Sequence, residues 1–198
     1  MPDFIEINRK NLPSLYTLYK NSFHEKNPNI EIFQTKNNRL SMKIDGVLVH
    51  SSYNPELEAQ RQITEKYSGK DLIIVFGLGL GYHIEELLKK TSAKILVVEL
   101  CEGVFVKAFE NCDMSYLKNV DLYLGTIDDF FNFLLNSLSE ENCANTAIFP
   151  HPVLSKIFEK EYSGITEILN KVLEIKLRSL ITTMGFGYRW ITNSIKNA

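Results

Sequence analysis

The chain has 198 residues, enough for one domain or one and a half and too few for a multidomain enzyme. Twenty-two Lys plus Arg against 24 Asp plus Glu leave a formal charge of −2, spread along the chain, which argues against a dedicated nucleic-acid binder. Apolar residues at 44% and charged ones at 23% are ordinary for a soluble globular protein and exclude disordered and collagen-like classes.

The opening MPDFIEINRK has no apolar core of the kind a secretory signal needs, and no apolar run approaches the ~20 residues of a membrane span. Cys101, Cys112 and Cys143 are odd in number and form no CxxC pair, so they give neither a disulfide framework nor a zinc signature. The expected compartment is a reducing, cytoplasmic one, with the cysteines as small buried side chains.

Residues 9–23 read as a helix, with Leu12, Leu15, Tyr16, Tyr19 and Phe23 on one face and Pro13 in the first turn. After the breaker run Lys26-Asn27-Pro28-Asn29, the segment Ile30 to Thr35 alternates as a half-buried strand. Leu40 to Ile44 and Val47 to His50 follow, separated by the hairpin signal Asp45-Gly46. Residues 1–52 are therefore expected to form a helix and a small antiparallel sheet.

At Tyr53-Asn54-Pro55 a new helix begins, because Asn is a good N-cap, Pro suits the first helical position, and Glu56 and Glu58 favour the positive end of the dipole. It is expected to run to Lys66 or Tyr67. Leu72 to Phe76 is apolar without alternation, as in a strand buried on both faces. A glycine-rich turn leads into a helix over Tyr82 to Lys90, and a second apolar run, Ile95 to Val98, ends in Glu99. Helix, strand, helix and strand continue over 104–109, 120–124, 127–138 and 146–149. This alternation predicts a Rossmann-like parallel α/β sheet over 53–152. Residues 153–198 read as helices and a connector, with a break at Ser163-Gly164 and a loosening at Met184-Gly185-Phe186-Gly187.

The most informative string is Val75-Phe76-Gly77-Leu78-Gly79-Leu80-Gly81-Tyr82-His83. A dinucleotide fingerprint starting at Gly77 needs its third glycine at position 82, where Tyr82 stands. The order G-x-G-x-G looks more like the first motif of S-adenosylmethionine-dependent methyltransferases. Glu99, at the end of the next strand, stands where an acidic side chain can accept from ribose hydroxyls, and Asp128 and Asp129 stand where such folds touch an adenine. Gly77, Gly79, Gly81, Glu99 and Asp128 are thus the candidate residues of a nucleotide or S-adenosylmethionine cleft. The competing reading is that a glycine turn simply packs a helix tightly on its sheet.

His24, His50, His83 and His151 are scattered, with no helical i, i+4 pair, so no metal site is expected. Neither a G-x-S-x-G elbow nor a Walker sequence occurs, and Glu140-Glu141 reads as a solvated face. No catalytic residue is assigned.

His50-Ser51-Ser52-Tyr53-Asn54-Pro55-Glu56-Leu57-Glu58-Ala59, followed by the GLGLGYH turn at 77–83 and Ile95-Leu96-Val97-Val98-Glu99, resembles the N-terminal domain of bacterial motility accessory factors. These are flagellin glycosyltransferases that attach nonulosonic acids to Ser or Thr. The tail Arg189-Trp190-Ile191-Thr192-Asn193-Ser194-Ile195-Lys196-Asn197 looks like the family's connector into a central catalytic domain. The resemblance implies a cytoplasmic, non-catalytic front module whose partners are the downstream glycosyltransferase domain and flagellin, with no nucleic acid or membrane. The alternatives are a methyltransferase or adenosyl-binding domain, and a pure interaction module that docks a neighbour through Tyr188 and Trp190.

Overall fold

In the computed structural model, residues 2–22 and 28–196 are described, with side chains through Thr182. Phe23, His24 and the run Lys26-Asn27 lie outside them, as do the side chains of Tyr188 and Trp190.

The single helix expected over 9–23 is two, α1 (Phe4–Asn11) and α2 (Pro13–Asn21), meeting at Leu12 with φ −135°. Proline disfavours the helical conformation in the residue before it, so Leu12 leaves the α region. Pro13 then starts α2. The strands β1 (Ile30–Gln34), β2 (Leu40–Ile44) and β3 (Val47–Leu48) form an antiparallel sheet in that order. Asp45 and Gly46 both take positive φ, 47° and 80°, as a primed hairpin turn requires.

Helix α3 (Pro55–Gln62) is capped by Asn54, whose Oδ1 accepts from Leu57 N at 3.0 Å. It stops earlier than the expected Lys66, because Ile63 turns extended and is buried, and a 3-10 turn covers Glu65–Tyr67. There follow β4 (Leu72–Phe76), α4 (Tyr82–Lys90), β5 (Lys94–Glu99), α5 (Glu102–Asn111), β6 (Asp121–Leu124), α6 (Ile127–Ser137), α7 (Glu140–Cys143) and β7 (Thr146–Pro150). Two helices end the chain, α8 (Leu154–Ile157) and α9 (Glu159–Lys196). The expected break at Ser163-Gly164 is absent. The break lies instead at Phe158, and α9 continues through Gly164, Gly185 and Gly187. A Cβ at Gly164 would stand 3.5 Å from the Ile127 side chain, an ordinary van der Waals contact.

The four parallel strands lie in the order β6-β5-β4-β7, so the chain reverses direction across the sheet between β4 and β7. This is the Rossmann-like α/β arrangement, and the C-terminal end of the β4–β7 pair is its topological switch point, where such folds hold ligands. The pleat sorts β4 between two cores. Ile73 and Val75 face one that also holds Met42, Ile44, Leu87 and Phe109. Leu72, Ile74 and Phe76 face the other, with Phe130 and Leu134 of α6 and Ile165, Leu169 and Val172 of α9.

The N-terminal segment shares the first of these cores. Asn8, fully buried, donates through Nδ2 to Phe109 O (2.9 Å) and Cys112 O (2.8 Å) and accepts from Met114 N (2.9 Å). One side chain thereby satisfies two carbonyls at the C-terminal end of α5 and the amide of Met114.

Candidate functional site

The glycine turn leaves β4 at the switch point with Gly77, Gly79 and Gly81 all in the left-handed region, at φ 96°, 52° and 87°. An L side chain at any of them would be strained, and would also collide. A Cβ on Gly77 would lie 2.7 Å from Leu154 Cδ1, one on Gly79 2.6 Å from His50 Nε2, and one on Gly81 1.9 Å from the Tyr116 hydroxyl. The surface a ligand's phosphate or carboxylate would need is covered, in this structure, by the chain's own side chains.

Glu99 is fully buried at the end of β5. Its Oε2 accepts from Leu78 N at 2.8 Å and its Oε1 from Cys101 N at 2.8 Å, with the amides of Leu100 and Gly79 also directed at it. Burial pushes its acid strength down, to a pKa of about 7, against the opposing pull of those N–H groups. The acceptor positions expected to serve ribose hydroxyls thus tie the turn to the β5–α5 loop. Asp128 stands exposed on the first turn of α6 and takes no part in the hydrogen bonds that hold the turn. Asp129, also exposed, accepts from Thr126 Oγ1 at 3.4 Å.

The structure brings together what the sequence scatters. His50 arrives just after β3, His83 on the first turn of α4 and His151 just after β7, and all three are buried. The His151 ring meets His50 edge-on at a centroid distance of 5.2 Å and His83 at 4.9 Å. His83 also stacks on Phe149 at 5.3 Å, and His50 meets Tyr82 at 5.4 Å.

Each imidazole has an assigned task. His50 Nε2 accepts from Leu80 N at 2.8 Å; His151 Nδ1 accepts from Val153 N and Leu154 N, both at 3.3 Å; and His83 Nε2 donates to Gly77 O at 2.9 Å. The two acceptors must be neutral. Burial, reinforced by His83, holds His50 down to about 3, and burial holds His83 down to about 4 against the raising effect of its bond to Gly77. His151 lies well below the ordinary range, through burial first and then His83 and His50. Among the described residues no group of three or more His, Cys, Asp or Glu is arranged to hold a metal ion. Sequence reading missed the cluster because its signal is positional: each histidine follows, within a few residues, the end of a strand or of the glycine turn.

The Ser51–Ala59 string is the clamp that presents His50. Ser51 Oγ accepts from Tyr53 N (3.2 Å) and Asn54 N (3.1 Å), and Glu58 Oε2 accepts from Ser51 N (2.8 Å). With the Asn54 cap this is a reciprocal lock at the start of α3. Ser41 Oγ donates to His50 O at 2.8 Å, fixing the same residue from β2. Cys101 and Cys143 are buried and Cys112 half-buried, all as free thiols.

Residues 7–117 match the family described as the glycosyltransferase Maf N-terminal domain. The chain belongs to that family. The matched span holds both strings that meet at this site, the Ser51–Ala59 clamp and the glycine turn. The fold is also similar to a solved structure of a Maf glycosyltransferase from Magnetospirillum magneticum AMB-1, with 11% identity and a TM-score of 0.56 over 86% of this chain and 34% of that one. This Maf N-terminal domain therefore spans about a third of that solved chain. Fainter likenesses are to a spermidine synthase in complex with the transition-state analogue AdoDATO (14% identity, TM-score 0.47, 67% of this chain and 46% of that one) and to spermidine synthase from Thermotoga maritima (13%, 0.44, 66% and 47%). No curated protein matches. Among the described residues no helix is long and apolar enough to cross a membrane.

Proposed function

We propose that this chain is the non-catalytic front module of a cytoplasmic flagellin glycosyltransferase. Its task is to position a downstream catalytic domain, or the flagellin acceptor, for transfer of a nonulosonic acid to Ser or Thr. The observation that carries this reading, beside family membership, is the state of the switch point. His50, His151, Leu154 and Tyr116 stand where a Cβ on the turn glycines would have to go, and Glu99 is engaged by backbone amides. A site whose carboxylate and imidazoles are already engaged and whose approach is covered lacks the convergent free groups that chemistry needs. On this reading Gly77, Gly79, Gly81 and Glu99 serve packing.

Helix α9 fits the positioning role. Its first turns bury Tyr162, Ile165, Leu169 and Val172 against the sheet, whereas Ile175 and Ile181 are exposed further along, at 47% and 70%. Its sequence beyond Thr182 carries Met184, Phe186, Tyr188, Trp190 and Ile191 toward the connector, a composition suited to an interdomain contact.

Glycosyl transfer to flagellin from a CMP-activated nonulosonic acid tests the reading. Residues 1–198 alone are expected to give none, and robust transfer by them would overturn it.

A further inference from the structure

Helix α9 runs 38 residues without a break, and its first half packs against the domain. Tyr162, Ile165, Leu169 and Val172 are buried in the core shared with α6, and Leu173 and Leu177 lie half-buried at its border. One turn further along the face of Leu177, Ile181 is 70% exposed.

The apolar pattern does not stop where the packing does. Leu177, Ile181, Met184, Tyr188, Ile191 and Ile195 follow one another at steps of 4, 3, 4, 3 and 4 residues, the spacing of a coiled-coil seam. The positions flanking that seam carry Gly185 and Thr192 on one side and Gly187 and Ser194 on the other, all small and uncharged. Arg189, the one charged residue between Arg178 and Lys196, falls at none of these positions.

The flanks and the side on which the seam lies select its occupant. Flanking charges choose the partner of a paired helix, and like charges there repel an identical copy. Beyond Arg178 the flanks are bare, so nothing opposes self-pairing. The seam face is also the face that α9 lays on its own domain through Leu177. A second α9 running parallel to the first would have to enter on that face through the body of the domain, whereas an antiparallel one enters from the free end. The antiparallel register uses every seam position, with Leu177 opposite Ile195, Ile181 opposite Ile191 and Met184 opposite Tyr188. Such side chains from two helices together withdraw on the order of 1,000 Å² from water, about the least that a specific protein pair needs.

We infer that this protein forms a two-fold dimer in which the second halves of two α9 helices pair antiparallel along residues 177–195. The inference rests on the front-module reading for its purpose, since a shared stem holds two modules in a fixed relation. Its test reads association and not glycosyl transfer, so the two fail separately.

Sedimentation equilibrium of the 198-residue protein over a wide concentration range is the test. Reversible monomer–dimer exchange with a micromolar dissociation constant is expected. Ile181→Glu, at a position already exposed in the single chain, should weaken dimerisation about tenfold or more and leave the urea midpoint of the dilute monomer unchanged. Ile191→Lys should weaken it likewise. Ile175→Glu, at a position 47% exposed but off the seam, should leave dimerisation intact. Mixing the Ile181→Glu and Ile191→Lys variants sets the introduced carboxylate opposite the introduced ammonium in the antiparallel register alone, so the mixture should associate more tightly than either variant by itself. A monomer at every concentration, which would leave the face to a different domain, contradicts the inference. Dimerisation indifferent to Ile181→Glu, an equal loss with Ile175→Glu, or no recovery on mixing would each overturn it as well.

Discussion

His50 Nε2 accepts a hydrogen bond from the backbone N–H of Leu80 at 2.8 Å, joining the string that starts α3 to the glycine turn that starts α4. The two are 30 residues apart in sequence. Because the acceptor nitrogen must be bare, the contact holds only while His50 is neutral. A ring that fills the space over Gly79 therefore also makes the turn sensitive to protons.

The acid response follows with a definite sign. His50, His83 and His151 are all depressed below the ordinary 6.5, so their contribution to stability is whole above about pH 6.5 and is lost as pH falls through about 4 and about 3 for His83 and His50. Glu99, raised from 4.5 to about 7, acts oppositely: its contribution is whole below 4.5 and lost as pH rises through 7. Three groups oppose one, so net stability should fall as pH drops below about 6.5. Urea unfolding at about pH 7 and about pH 5 measures the difference. His50→Gln, which retains an acceptor for Leu80 N, should flatten the dependence; an unchanged slope would separate the cluster from it.

Gly77→Ala tests the covered turn. At φ 96° the new Cβ is strained, and it lies 2.7 Å from Leu154 Cδ1, so a loss of roughly 2–4 kcal/mol is expected from strain and overpacking together. Leu154→Ala alone should cost about 2–5 kcal/mol by leaving a cavity. Combined, the two should cost less than their sum, because the second change removes the clash. Strict additivity in chemical denaturation would show that the two residues do not press on one another.

Asn8→Ala should be as damaging as a core truncation even though α1 lies at the edge of the fold. It strands two carbonyls and one amide that Asn8 now satisfies, and each buried orphan costs about 1–3 kcal/mol. Asn8→Asp should be no better, since a carboxylate cannot donate to Phe109 O and Cys112 O. Thermal unfolding of the two variants, read against Asn11→Ala at the partly exposed end of α1, checks the prediction.

Much of the fold was legible because its signals are local. The unalternating run Leu72–Phe76, the Asp45-Gly46 turn and the Asn54-Pro55 start each carry a period or a cap in neighbouring residues. The errors arose where tertiary context decides. Helix α3 stops at Gln62 because Ile63 turns extended and is buried in the core, and Gly164 stays helical inside α9, whereas the break at Leu12 had a local signal in Pro13 that the apolar periodicity outweighed. The glycine turn was visible, but what covers it was not. The covering residues come from positions 50, 116, 151 and 154, and only the strand order β6-β5-β4-β7 places them over one turn. The histidines illustrate the limit most plainly: scattered in sequence, they share one pocket in space.

The account depends most on the claim that the switch point is filled by the chain itself. Titration calorimetry of the intact 198-residue protein with S-adenosylmethionine, repeated with a nucleoside diphosphate, addresses that claim directly. No saturable heat with either ligand is the predicted result. Saturable binding that Gly79→Ala abolishes in a still folded protein would contradict it.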